Sequence, residues 1–307
     1  MRIYLSLFLS SLLIVSNEGF CQLYVSLSNN KVVRYDTSSA NPNDIAASAQ
    51  TFISTNLNDP AGMAVDSGGN FLVANSGGDS ISYFNAAGQY QSSISQNVMS
   101  PYGIALDSQN NIYVAQLLNG ISKMDSSGNL IWQTQPRIIR QMNELPNGIA
   151  LDSKQNVYVS MFASGNIVKL NSNGQLLADS TNTNLSLGWT TGIAINSNDE
   201  IYIGRGATSD GSITKINESF EKLGVLSTTT TPSGLNPLGL ALDDVGNLYV
   251  SSYNSTISKF DVNGNFLFTW TTEGTPNSLL YSVPEPSALS LLAIGLSGFA
   301  LVRRRRS

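Results

Sequence analysis

Histidine is absent from all 307 residues. That single absence removes Ser-His-Asp and Cys-His nucleophile pairs, imidazole zinc sites and imidazole acid–base catalysis together. Cysteine occurs once, as Cys21. One thiol cannot form an internal disulfide, so the body of the chain must hold itself together by packing. Charge is also scarce, at 12% of residues with a net of −5, and four of the sixteen basic residues sit together as Arg303, Arg304, Arg305 and Arg306. An acidic body of this kind argues against nucleic acid as a partner. Long apolar runs are missing except near the two ends, and no stretch shows the 3.6-residue periodicity of an amphipathic helix.

What the sequence has instead is a repeat. Pro101-Tyr102-Gly103-Ile104-Ala105-Leu106-Asp107 is followed by Asn111 to Ala115 and then Ile121 to Asp125. The same order recurs from Pro60, Pro146, Thr190 and Pro237, with glycines at 62, 103, 148, 192 and 239 that are 41, 45, 44 and 47 residues apart. Each copy holds three short runs of Val, Ile, Leu and Tyr, then a fourth, separated by Gly, Asn, Asp and Ser. That is strand-and-turn chemistry. Four antiparallel strands in about 40–45 residues is the spacing of a propeller blade. The Gly-Ile-Ala-Leu-Asp run is expected innermost, where crowding favours small residues, with Trp132, Phe266, Phe268 and Trp270 in outer strands. Gln22 to Ser26, Lys31 to Asp36 and Thr51 to Ile53 supply three strands without an innermost one, and Pro276 to Tyr281 supplies one without the other three. Pairing them closes a ring of six. The fold class is therefore all-β, a six-bladed β-propeller of four-stranded antiparallel blades over residues 22–282. From Gln22 to about Tyr281 the repeat resembles the NHL-repeat β-propellers, a likeness that implies the architecture and no particular chemistry.

The ends read as addresses. Met1-Arg2, the apolar run Ile3 to Val15 and the polar Asn17 to Cys21 form a signal peptide over residues 1–21, for signal peptidase to remove before Gln22. Phe20 stands where a lipoprotein signal wants a small residue. At the other end, Pro284-Glu285-Pro286 precedes an apolar run from Ala288 to Val302 and the four arginines. The run is slightly short for a membrane helix, and arginine snorkelling can cover the difference. Over residues 283–307 this order resembles the PEP-CTERM sorting signal. The resemblance implies a bacterial exported protein, transiently associated with the inner membrane and processed by an exosortase-type transpeptidase for the cell surface or extracellular space.

The repeated Asp66, Asp107, Asp152 and Asp243, with Asn196 in the fifth copy, sit where the inner strand turns back, and are expected to cap hairpins rather than ligate metal. No cofactor is expected, although a carboxylate and amide site for calcium or magnesium is left open. Where the copies differ, on the face of the loops between second and third strands and the segments leading into inner strands, stand Asn75, Tyr102, Gln116, Asn147, Met161, Trp189, Arg205 and Tyr253. Amides, aromatics and an arginine there suit polysaccharide or protein contact. The reading leans away from an enzyme and toward a non-catalytic binding or scaffold module. The alternative is a metal-dependent hydrolase or lyase of the lactonase-like propeller type.

Overall fold

The computed structural model describes residues 21–134, 145–181, 183, 185, 187–206, 211–226 and 235–282. The expected signal helix, Pro284-Glu285-Pro286, the C-terminal membrane helix and the four terminal arginines lie outside the described residues. Among the described residues no helix is long and apolar enough to cross a membrane.

Residues 21–282 form six four-stranded antiparallel sheets. Five are built from consecutive strands. Their inner strands are Pro60–Val65, Pro101–Leu106, Pro146–Leu151, Thr190–Ile195 and Pro237–Leu242. The remaining sheet joins the two ends of the domain, with Pro276–Ser282 as inner strand beside Gln22–Leu27, Lys31–Asp36 and Gln50–Ile53. Gln22 pairs with Ser282 and Leu27 with Pro276, so the ring is closed by backbone hydrogen bonds between the ends. Closure leaves no blade with an open lateral face. We number this sheet blade 1 and the others 2 to 6 in chain order.

The core is divided among the seams. Six apolar clusters each join two neighbouring blades; one packs Leu23, Val25 and Leu279 of blade 1 against Tyr249, Ile257 and Trp270 of blade 6. Strand alternation explains this, because successive side chains of one strand point to opposite faces and so into two different seams. On the blade faces a second pattern repeats. Lys123, Lys169, Lys215 and Lys259 lie over the rings of Tyr113, Tyr158, Tyr202 and Tyr249 at 4.8, 5.1, 5.5 and 4.9 Å, each from the directly opposite position on the next strand.

The repeated glycines have one physical cause. A Cβ on Gly62 would lie 2.4 Å from the Tyr102 carbonyl oxygen, and one on Gly103 the same distance from that of Asn147. Each contact is with the backbone of the next inner strand, so no side-chain movement can relieve it. In blade 1 Ser278 occupies the place of the glycine, and there side chains bridge the seam: Ser26 Oγ donates to the Ala61 carbonyl at 2.7 Å and Asn277 Nδ2 to that of Pro60 at 2.9 Å.

The turns consume the repeated aspartates. Asp107 Oδ1 accepts from the amides of Gln109 and Asn111, and its Oδ2 from Asn111 Nδ2 at 2.9 Å. The pattern recurs at Asp66, Asp152 and Asp243, and with Asn196 in blade 5. Asp125 and Asp261 do the same between third and fourth strands. One element has no counterpart in the sequence reading, the helix Pro42–Ala47. Asn41 caps it by accepting from the Asn43 amide, proline starts it, and Ile45 is its buried residue.

Two outcomes follow. Gly103→Val should lower stability by about 1–3 kcal/mol or more through forced backbone displacement. Gly224→Ala, where a Cβ would have nothing within 4 Å, should leave the melting temperature nearly unchanged in the same calorimetric scan. The Asp107 carboxyl supports a pH effect. Burial opposes its charge most, but the donors of Asn111, Lys123 and Gln109 together outweigh burial and hold it below the ordinary carboxylate value. A carboxyl depressed in the fold stabilises above its unfolded value of about 3.9 and loses that contribution as pH falls through the folded one. Asp107→Asn should therefore lower the melting temperature at pH 7 and reduce its further fall in acid; parallel pH curves for the two proteins would refute the role.

Candidate functional site

The inner strands start on one face of the ring and run to the other. Their lead-in segments, and the loops between second and third strands, surround the mouth of a central cavity of about 560 Å³. The strand Pro276–Ser282 runs the same way, so the chain enters and leaves the propeller on the face away from this mouth. The cavity wall is made by the Gly-Ile positions of the inner strands, each of which pairs with a strand of its own blade on one side only, with its other edge toward the axis.

Of the residues singled out by sequence, Tyr102, Asn147 and Tyr253 line the cavity together. They come from blades 3, 4 and 6. Tyr253 is 64% exposed at the rim. Trp189 is half exposed and lies against Phe162, itself a lining residue, with ring centroids 5.4 Å apart and planes tilted by 36°. It extends the aromatic rim outward from the cavity.

Asn75 and Gln116 are placed differently. Both are buried at the ends of second strands, and their side chains are committed to the blade. Gln116 Oε1 accepts from the Met99 amide at 2.7 Å while its Nε2 donates to Ser122 Oγ at 2.7 Å. Asn75 accepts from the Asn58 amide at 3.1 Å and donates to Ser82 Oγ at 2.9 Å. Ser252 holds the Asn236 amide in blade 6, and Arg205 donates from Nε to the Leu187 carbonyl at 2.7 Å in blade 5. Met161 occupies the equivalent position in blade 4 and is buried. In blades 2, 3, 5 and 6 the residue at this position anchors the lead-in segment of its own blade. Its identity varies between blades because the segment it must reach varies.

Sequence reasoning missed Asp59, Ser76 and Asn277. Asp59 precedes Pro60 at the lead-in to blade 2 and lines the cavity. It adopts φ +51°, a left-handed conformation that Asp tolerates, and its amide is held by Asn30 Oδ1 at 2.8 Å. Ser76 Oγ donates to Asp59 Oδ2 at 2.6 Å. The signal was present: the residue before the inner strand is Asp59 in blade 2 and Ser100, Leu145, Trp189, Asn236 and Thr275 elsewhere. Burial raises the Tyr102 phenol above its ordinary value, and the charge of Asp59 raises it further. It is therefore a neutral donor at neutral pH. Among the described residues, no three His, Cys, Asp or Glu side chains converge as metal ligands.

Comparison with known proteins bears on both parts of the chain. Residues 282–306 match the PEP-CTERM protein-sorting motif. No curated protein sequence matches. Among solved structures, a protein of unknown function from Bacteroides caccae has 16% identity and a TM-score of 0.64 over 85% of this chain and 98% of its own. A catalytically inactive histidine-to-alanine variant of virginiamycin B lyase from Staphylococcus aureus, with quinupristin, has 12% identity and a TM-score of 0.60 over 84% of this chain and 86% of its own. A streptogramin B lyase has 13% identity and a TM-score of 0.58 over 85% and 81%. At these identities the likeness is one of fold. The chain is thus a six-bladed β-propeller that carries a PEP-CTERM protein-sorting motif at its C-terminal end.

Proposed function

We propose that the protein is an exported, non-catalytic binding module of bacterial surfaces. It holds polysaccharide or another surface protein at the cavity mouth and is sorted by an exosortase-type transpeptidase after signal peptidase has acted. Its blades are of the NHL type. The observation that carries the binding reading is the convergence of Tyr102, Asn147 and Tyr253 from three blades on one cavity, with Trp189 extending the rim. Aromatic faces beside amides suit ring stacking combined with directional hydrogen bonds. The lyase whose histidine-to-alanine variant is inactive shares this fold, yet this sequence contains no histidine. That contrast supports binding without turnover. The sorting motif supports export and a transient stay in the membrane, because its apolar run and arginines follow a signal peptide in the same chain. Copies gathered on one surface would add avidity to a modest single-site affinity.

The purified protein is to be assayed against polysaccharides and model lactones, with calcium, magnesium and chelator. Binding without turnover is expected; metal-dependent turnover that chelator abolishes, with no glycan or protein bound, would replace this reading by the lyase or hydrolase one. Tyr102→Ala and Tyr253→Ala should each weaken binding by about three- to tenfold. Asn75→Ala should lower the melting temperature and leave the affinity of the folded protein unchanged. For sorting, replacing Pro284-Glu285-Pro286 by alanines should leave full-length protein in the membrane fraction on immunoblots, and unaltered processing and release would count against the exosortase.

A further inference from the structure

The binding reading leaves the ligand's charge open, and the mouth itself carries information on that point. Asp59 is the one ionised side chain among the described cavity-lining residues, which include no lysine or arginine. Its position is built: Asn30 holds its amide, and Ser76 holds Oδ2. Ser76 satisfies one lone pair of a carboxylate that can accept about four hydrogen bonds. The carboxylate is exposed, and the rings of Tyr102 and Tyr253 line the same mouth from blades 3 and 6. The side chains of Asn147 and Asn277 are also among the lining residues, and Asn277 Nδ2 is engaged with the Pro60 carbonyl. A single carboxylate that shares a mouth with two tyrosines is a recognition element for a cation. A carboxylate-bearing ligand would meet repulsion from Asp59 without a described basic side chain in the cavity to offset it.

We propose that the mouth takes a protonated amine carried on a polar ring, the chemistry of an amino sugar with a free ammonium group. Asp59 receives the ammonium, Tyr102 and Tyr253 receive ring faces, and the Asn147 amide receives hydroxyls. This rests on the mouth being a binding site, and deepens that reading by committing it to a cationic sugar rather than a neutral or acidic one.

The test is isothermal titration of the full chain, in detergent, with glucosamine oligomers and with N-acetylglucosamine oligomers of equal length. Acetylation removes the charge and keeps the ring. An alkyl diamine serves as an ammonium without a ring. The glucosamine oligomer should bind about tenfold or more tightly than the acetylated one, as expected for a charge-assisted hydrogen bond, and the preference should shrink as salt is raised. The diamine should bind more weakly than the sugar. Asp59→Asn, which keeps an acceptor for Ser76, should abolish the preference while leaving the melting temperature within a degree or two. Tyr253→Leu, at an exposed position, should weaken both oligomers alike. Equal affinity for the two oligomers, or an undiminished preference in Asp59→Asn, would overturn the cationic ligand while leaving the mouth as a binding site if Tyr253→Leu still weakens both. A diamine as tight as the sugar would overturn the ring requirement. Absence of binding to any of the three would overturn the proposal, and failure of the wider glycan and protein assays as well would remove the binding reading beneath it.

Discussion

Around the axis the backbones of neighbouring inner strands lie too close for a side chain between them, and much of the architecture follows from keeping that approach possible. With only hydrogen at the repeated position, each inner strand can lie against the next, and the ring is tight enough to place six apolar seams between six sheets. The same crowding selects Ser26, Ala74, Ala115, Ser160, Gly204 and Ser251 at one position of the second strands. Where a hydroxyl is present it is put to use: Ser26 and Ser160 donate to carbonyls of the following blade, and Thr191 Oγ1 does so at 2.8 Å opposite Gly204. The seam therefore combines apolar burial outside with hydrogen bonds near the axis. No disulfide is needed, because the closing strand Pro276–Ser282 ties the ends of the domain through six paired residues of blade 1.

A large part of the polar composition is committed to the fold. Aspartates and asparagines at the strand ends bond their own turns, and the lysines of the third strands lie across tyrosines of the second. The same holds for several residues that differ between blades. Asn75, Gln116, Arg205 and Ser252 differ because the lead-in segments they anchor differ in length and path. Variation among repeats thus has two origins, adaptation to neighbouring loops and, on the proposed reading, exposure to a ligand. Burial separates them: Gln116 is fully buried, whereas Tyr253 and Trp189 are open to solvent.

The two faces of the ring have distinct work. One carries the acidic turns and both ends of the domain, with Gln22 paired to Ser282. The other carries the mouth, its tyrosines, its amides and Asp59. A polarity of this kind follows from antiparallel order alone, since an inner strand that begins at the mouth must end on the opposite face.

By itself the sequence determined the blade count, the strand order within each blade, the closing strand, the capping role of the repeated aspartates and the sorting motif. All of these are local or periodic: a Gly-Ile-Ala-Leu-Asp run, an Asp-x-x-Gly-Asn turn and a Pro-Glu-Pro before an apolar run can be read along the chain. Tyr102, Asn147 and Tyr253 were legible as rim residues for the same reason, since they lie at the same end of their repeats. The helix Pro42–Ala47 was not, because a six-residue helix leaves no periodicity and rests on one cap and one buried isoleucine. Only the tertiary structure decided which non-repeated residues share a cavity. Asp59 and Tyr253 are 194 positions apart in the sequence and meet at the mouth because the ring places the lead-in of blade 2 and a loop of blade 6 on the same opening. It also decided that Asn75 and Gln116 face the blade, since a side chain at the end of a strand can turn either way and the choice is made by the backbone amide that lies within its reach.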